Sequence, residues 1–320
     1  IILAFSFIGY GFFVGGDGIT GAVSGMERIS GYEILETEDL TEEEKYYDKV
    51  MGAIKEQETG LGFVQNSIEW LAVNTFFENS VTTTGPYEVS KQNANNIVQR
   101  MNDDDKNKFF DKIDGITQEE ITDFIRTEDG GKEIALRIVK DNAQVLKNHF
   151  DAAGLKPPEI GTSERAIYDG AAYNNGAERP IGVGVQSVMR ELNVQLKEEF
   201  TNYNAGDYYT QLDGYLGENT KNAFKEWFNE LVKEKPEYGY LSDAEIDKAF
   251  GNSPTGAPYR ILGSDVWRVL SEEYESTTGK IAVPLNSKDE IINDPDNKIP
   301  NVGLVTERLV YESGESTAYN

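Results

Sequence analysis

Apolar residues recur at helical spacing through most of this chain, and turn residues separate the runs. Thr41 followed by Glu44 makes a capping box. Beyond it Tyr47, Val50, Met51 and Ile54 share one face of a helix that the pattern ends near Gly60. A second helix is predicted from Val64 to Phe77, with Ile68, Leu71 and Ala72 inward, before TTTGP at 82–86 breaks the run. Helices are also predicted at Ser90–Met101, Lys106–Asp111, Thr117–Arg126 and Lys132–Phe150. The last carries Ile134, Ile138, Val145 and Phe150 on one stripe.

Two Pro-containing breaks follow, LKPPEIGTS at 155–163 and AERPIG at 177–182, and the first is a candidate domain boundary. The next helical pattern is Val185–Phe200. Leu212–Trp227 (LDGYLGENTKNAFKEW) then joins a tight turn at Asp213-Gly214 to a helix whose apolar residues Ala223, Phe224, Trp227, Phe228 and Leu231 bury one face. Asn219 or Thr220 can cap that helix. Leu241–Phe250 and Asp265–Tyr274 are further helical patterns, with GNSPTGAPYRILG between them reading as a linker. From Lys280 onward, KIAVPL, NDPDNKIP and GLVTERLVYES alternate β-prone pieces with turn residues, which predicts short strands. The expected fold class is mainly α with a short β-prone C-terminal tail.

The chain has 320 residues, room for two domains on size alone. Its net charge of -26 disfavours nucleic acid as a partner, because phosphate binding needs clustered Lys and Arg. With no cysteine, disulfides, thiolate catalysis and Cys-based metal sites are excluded. The single histidine, His149, rules out a multi-histidine metal site within one chain and reads as a helix-end residue. Met101–Gly115 is acidic but lacks the Gly and terminal Glu that a calcium loop requires, so it reads as a solvated loop and helix cap. We expect no metal and no cofactor. Residues 1–16 (IILAFSFIGYGFFVGG) are apolar but lack an initiator Met and a basic n-region, and are shorter than the ~20 residues of a bilayer span. The chain begins inside a hydrophobic run, as a fragment or processed product would. Its start reads either as a membrane-active segment that could reach a host membrane or as a buried or assembly contact, with GGDGITGAVSG as a flexible connector.

Three pieces in order, VQSVMRELNVQLKEEF, DGYLGENTKNA and LSDAEIDKAF, resemble a peptidoglycan-binding domain, in which a first helix is followed by a DGxxGxxTxxA turn and helix and a short third helix. Just upstream, IYDGAAYNNGAERPIGVGVQ (Ile167–Gln186) is similar to the Asp-x-x-x-x-Asn-x-Gly entry to that domain in phage-type N-acetylmuramidases. The resemblance covers about a quarter of the chain, Ile167–Phe250. It implies peptidoglycan as partner, with Tyr173, Asn174, Asp213 and Tyr215 as candidate substrate-binding residues; Tyr208 and Tyr209 are further candidates for stacking on sugar rings. Asp213 also reads as a turn residue, and Phe224 and Trp227 as core.

A chain without Cys and with one His has carboxylates as its natural acids and bases, and glycan cleavage suits them. KVMGAIKEQETG (Lys49–Gly60) resembles the helix end where lysozyme-like muramidases and lytic transglycosylases hold their catalytic acid, which makes Glu58 the candidate, with LGFVQ (Leu61–Gln65) as the downstream element. A Glu on an apolar helix can be partly desolvated and kept protonated. The other reading is a solvated charge among 56 acidic residues. Glu69 and Glu78 are candidates for a second carboxylate. The implied organisation is a hydrophobic and Gly-rich segment at 1–31, a lysozyme-like helical domain at 32–160, a three-helix peptidoglycan-binding module at 161–252 and a C-terminal extension at 253–320. The implied function is a peptidoglycan-degrading enzyme of a virion or of the extracellular or periplasmic space. The alternatives are a non-catalytic phage tail component, such as a tape-measure or tail-tip protein meeting other tail proteins, and a cell-surface adaptor.

Overall fold

The computed structural model describes residues 40–73, 83–196, 212–294 and 297–312, with side chains in the first stretch described as far as Glu58. The expectations for residues 1–31, and for Glu78, Tyr208 and Tyr209, lie outside them, as does the side chain of Glu69. The described residues belong to one compact unit. Among the described residues there are thirteen α-helices, a short 3-10 turn and one two-stranded hairpin, so the fold is mainly α. Among the described residues no helix is long and apolar enough to cross a membrane.

Helix α1 (Glu42–Val73) starts at the predicted capping box, where the Thr41 N–H donates to Glu44 Oε2 at 2.8 Å and the Glu44 N–H to Thr41 Oγ1 at 3.2 Å. It does not stop near Gly60, and the separate helix expected from Val64 is its continuation. The reason is energetic. A glycine costs a helix only ~1 kcal/mol relative to alanine, and no proline follows to force an end.

A hairpin comes next, β1 (Thr83–Thr84) antiparallel to β2 (Val89–Ser90). Ser90 then caps α2 (Lys91–Arg100), Asn102 caps α3 (Asp103–Phe109) and Thr117 opens α4 (Gln118–Arg126) with a full capping box. Asn102 is the cap expected in Met101–Gly115, but α3 fills Asp103–Phe109 and only the residues after it form the expected loop.

Helix α5 (Glu128–Ala152) is long enough to serve two cores. Its Ile134 and Val139 join Val50, Ile54, Ile121 and Ile125. Its Leu146 and Phe150 join Val185, Met189, Phe224, Phe250 and Leu270. The Pro-rich loop after it therefore runs between packed helices. It leads to α6 (Ser163–Asn175) and α7 (Glu178–Glu191), the latter beginning and ending earlier than the predicted Val185–Phe200. Then come α8 (Glu218–Glu234), a 3-10 turn at Pro236–Tyr240 and α9 (Asp243–Phe250).

The C-terminal quarter departs most from its pattern. The expected linker holds helix α10 (Ala257–Leu262), with Ala257, Ile261 and Leu262 buried, ahead of α11 (Asp265–Thr278). Of the pieces expected as strands, KIAVPL at 280–285 forms neither strand nor helix, and GLVTERLVYES falls in helix α13 (Lys298–Glu312), which follows the short α12 (Lys288–Asn293). In α13 the buried residues Ile299, Thr306, Glu307 and Val310 recur at helical spacing, and this periodicity overrides the β-propensity of Val and Ile. Helix α13 packs closely along α6, where a Cβ on Gly170 would collide with Thr306 and one on Gly303 with the Ile167 carbonyl.

Candidate functional site

The buried face of α1 does not end with its last apolar residue. Val50 and Ile54 are fully buried, and one turn further on, at the same spacing, stands Glu58. Glu56, by contrast, points to solvent. Glu58 is thus a carboxyl at a core position, half-buried. Its pKa rises to about 8, first because burial penalises the anion and then because the carboxylate of Glu88 lies within hydrogen-bonding reach.

Glu88 arrives on the turn of the β1–β2 hairpin, whose strands pair Thr84 with Val89. Its N–H donates to the Gly85 carbonyl at 3.1 Å, which closes the turn. Gly85 has φ 82° and sits so close to α4 that a Cβ would strike the Ile125 carbonyl, so only glycine fits there. Tyr87 anchors the turn from inside, with 2% exposure, and its hydroxyl donates to Glu128 Oε1 at 3.3 Å. Lys55 of α1 donates to the same Glu128 oxygen at 2.6 Å. Burial pushes the Glu88 carboxyl up too, while its hydrogen bond with Glu58 acts to lower it, so the two carboxyls titrate as a pair.

Tyr173, on α6, closes this group. Its hydroxyl donates to the Tyr87 carbonyl at 2.6 Å, and burial followed by the charges of Glu58 and Glu88 raises its pKa, so the phenol remains a neutral donor. One turn earlier on α6 lies Asp169, fully buried, which accepts from Arg165 Nε at 2.9 and 3.1 Å and from Tyr46 Oη at 2.9 Å. Arg165 Nη2 in turn donates to Tyr47 Oη at 3.2 Å. Burial lifts Asp169 to about 6 against the pull of Arg165. This network ties α6 to the first turns of α1. Gln57, next to Glu58, ties α1 to α13 by donating to Thr306 Oγ1 at 3.0 Å.

The structure therefore brings Glu58 and Tyr173 together and adds Glu88. It places the other predicted residues differently. Asn174 is exposed, and its amide donates back to Gly170 O at 3.3 Å within α6. Asp213 belongs to a clamp around the Asp213-Gly214 turn: its Oδ1 accepts from Gln186 Nε2 at 2.8 Å and from the Tyr215 N–H at 2.9 Å. Gln186, 3% exposed on α7, also donates to the Tyr215 carbonyl at 3.0 Å and accepts from the Gly214 N–H at 2.7 Å. Gly214 has φ 69° and faces the Arg179 carbonyl without room for a Cβ. The Arg179 guanidinium lies 3.7 Å from the Tyr215 ring centre. Phe224 is fully buried and Trp227 packs against the same core. His149 is buried between α5 and α7, with Nδ1 2.8 Å from the Val145 carbonyl and Nε2 2.6 Å from Glu178 Oε2. No group of side chains able to hold a metal ion occurs among the described residues.

Glu88 was not among the residues the sequence pointed to. Its signal was weak: a carboxylate following Gly-Pro in a turn between TT and VS, thirty residues from its partner along the chain. Compared with family profiles, with curated proteins and with solved structures, the chain matches none.

Proposed function

We propose that this chain cleaves the glycan strand of peptidoglycan, with Glu58 as general acid. The observation that carries the reading is the position of Glu58 on the buried face of α1 beside a second carboxyl, which keeps it protonated up to about pH 8. A carboxylic acid in that state can give its proton to the bridging oxygen as the bond from that oxygen to the sugar C1 breaks. The bonding electron pair stays on the oxygen, and Glu58 is left as a carboxylate. Capture of the sugar cation by water completes a hydrolysis, and capture by a hydroxyl of the same sugar completes a transglycosylation.

The choice of peptidoglycan rests on the resemblance of Ile167–Phe250 to a wall-binding module, with α7, the Asp213-Gly214 turn, α8 and α9 as its pieces in order. The region carrying Glu58 is then the lysozyme-like part. Tyr173 lies beside the acid and Tyr215 on the module, and both are candidates to meet sugar. A virion, or the extracellular or periplasmic space, is the setting this activity calls for.

The test is digestion of purified murein by the wild-type chain and by Glu58→Gln, with mass analysis of the products and a parallel wall pull-down. Loss of muropeptide release with retained wall binding is expected. Anhydro ends identify a transglycosylase and reducing ends a hydrolase. Unchanged release by Glu58→Gln sinks the assignment, and wall binding by a wild type that releases nothing transfers the reading to a non-catalytic tail component.

A further inference from the structure

General acid catalysis needs one protonated carboxyl, yet Glu58 has a second beside it, held at a conformational cost. Glu88 has φ 45°, in the left-handed region that favours glycine. The same turn uses glycine at its other positive-φ position, Gly85. Strain of this kind persists only where the surroundings impose it. Here they do: Gly85 abuts the Ile125 carbonyl and Tyr173 holds the Tyr87 carbonyl at 2.6 Å, while the Glu88 side chain is hydrogen-bonded with that of Glu58 on α1.

We propose that Glu88 is a positioning residue for Glu58: the two carboxyls share one proton, and Glu88 holds it on Glu58 until the bridging oxygen of the glycan replaces Glu88 as acceptor. The role in cleavage rests on the function proposed above. After proton transfer both carboxyls are anions, and their repulsion drives Glu58 to recover a proton from the attacking water or hydroxyl, which restores the pair. The titratable groups around the pair are Tyr173 from α6, Tyr87 from the hairpin and Glu128 from α5. Glu128 is itself engaged by Lys55 at 2.6 Å, while Asp48 and Asp129 act on Tyr87.

The experiment compares wild type, Glu88→Gly and Glu88→Gln by thermal melting, by the pH dependence of muropeptide release and by carbon NMR titration of the glutamate carboxyls. Glycine relieves the strained backbone, so Glu88→Gly should melt at a higher temperature than wild type while losing activity at neutral pH by about tenfold or more. In both variants the alkaline limb of the rate profile should move down by at least about one unit. The Glu58 carboxyl should titrate correspondingly lower, because a glutamine amide donates to the anion where Glu88 repelled it. An unmoved limb with an unmoved Glu58 titration overturns the proposal and leaves Glu88 a turn residue. A wild type that cleaves nothing, but whose Glu58 titration drops in Glu88→Gln, upholds the shared proton and overturns the reaction assigned to it.

Discussion

The two turns at 85–88 and 213–216 are built alike and charged differently. Each contains a positive-φ glycine pressed against a neighbouring carbonyl, Gly85 on Ile125 and Gly214 on Arg179. Each has a carbonyl held by a side chain from a helix, Tyr173 on Tyr87 O and Gln186 on Tyr215 O. In the second turn the acidic side chain meets donors, since Asp213 accepts from Gln186 and from the Tyr215 N–H. In the first, Glu88 meets another carboxyl. A satisfied carboxylate is a joint. An acid forced against a second acid keeps a proton near neutral pH, and this is the state a proton donor needs.

The sharpest way to break that contrast is Glu58→Gln. It should reduce muropeptide release by ~10²–10⁴-fold, the range expected for one general acid. Its melting temperature at neutral pH should stay level, because a neutral amide takes the place of a carboxyl that is already protonated there. Asp213→Asn, the matching change in the other turn, should leave the pH limb of the rate where it was. A Glu58→Gln protein with full activity, or one that fails to fold, would erase the distinction.

Asp169→Asn tests a third buried carboxyl, whose partner is a cation. Removing the anion leaves Arg165 buried and uncompensated, a loss on the order of 3–5 kcal/mol. Chemical denaturation should report it. A loss below ~1 kcal/mol would mean that Arg165 finds new partners, so that Asp169 is not what fastens α6 to α1.

How far these sites were legible depends on the range of the interactions that make them. Helices whose caps and stripes lie within a few residues were readable, among them α2, α4 and α9 with their Ser90, Thr117 and Ser242 caps. The Asp213-Gly214 turn announced itself by composition. Glu58 was singled out by the resemblance of Lys49–Gly60 to a catalytic helix end, and its place on the Val50 and Ile54 face came only with the structure. Glu88 was not, because its meaning lies in a contact between segments thirty residues apart. The tail was misread as strands because Val and Ile suit either state locally. What decides for α13 is its packing along α6, far earlier in the chain, and its helical stripe was hidden because the buried positions include the polar Thr306 and Glu307.

Gln186→Ala breaks the satisfied turn. It strips partners from Asp213, from the Tyr215 carbonyl and from the buried Gly214 N–H. We expect ~2–3 kcal/mol of destabilisation, measured by denaturation, since an orphaned buried donor costs ~1–3 kcal/mol. Weakened wall pull-down should accompany it if this turn orients the module.

Stability should also carry the mark of the unsatisfied site as pH changes. Glu58 takes up protons more readily folded, at about 8, than at its ordinary 4.5. Between those values the native state binds more protons than the unfolded chain, so this contribution falls as pH rises from about 4.5 to about 8. Asp169 has the same sign between 3.8 and about 6. Glu120, lowered to about 2 first by the Thr117 backbone and then by Lys112, has the opposite sign and loses its contribution as pH falls from 4.5 toward 2. Glu58→Gln should flatten the descent between pH 6 and 8 in a melting series. An unchanged slope would show that Glu58 titrates normally and that the first turn is as well satisfied as the second.

The smallest expected effect concerns Tyr215, where two roles compete. Its ring lies under the Arg179 guanidinium at 3.7 Å, and its backbone is part of the Gln186 clamp. Tyr215→Leu leaves the backbone bonds in place and removes the stack, a change of ~0.5–1 kcal/mol at a partly exposed site. If stacking on Arg179 is all the ring does, wall affinity should follow that small loss and no more. A drop in pull-down of tenfold or greater, with stability changed by less than ~1 kcal/mol, would mean that the ring meets the wall itself. The second turn would then be a joint in its backbone and a contact in its side chain. The contrast with the first turn would narrow to one property, the proton that Glu58 and Glu88 share.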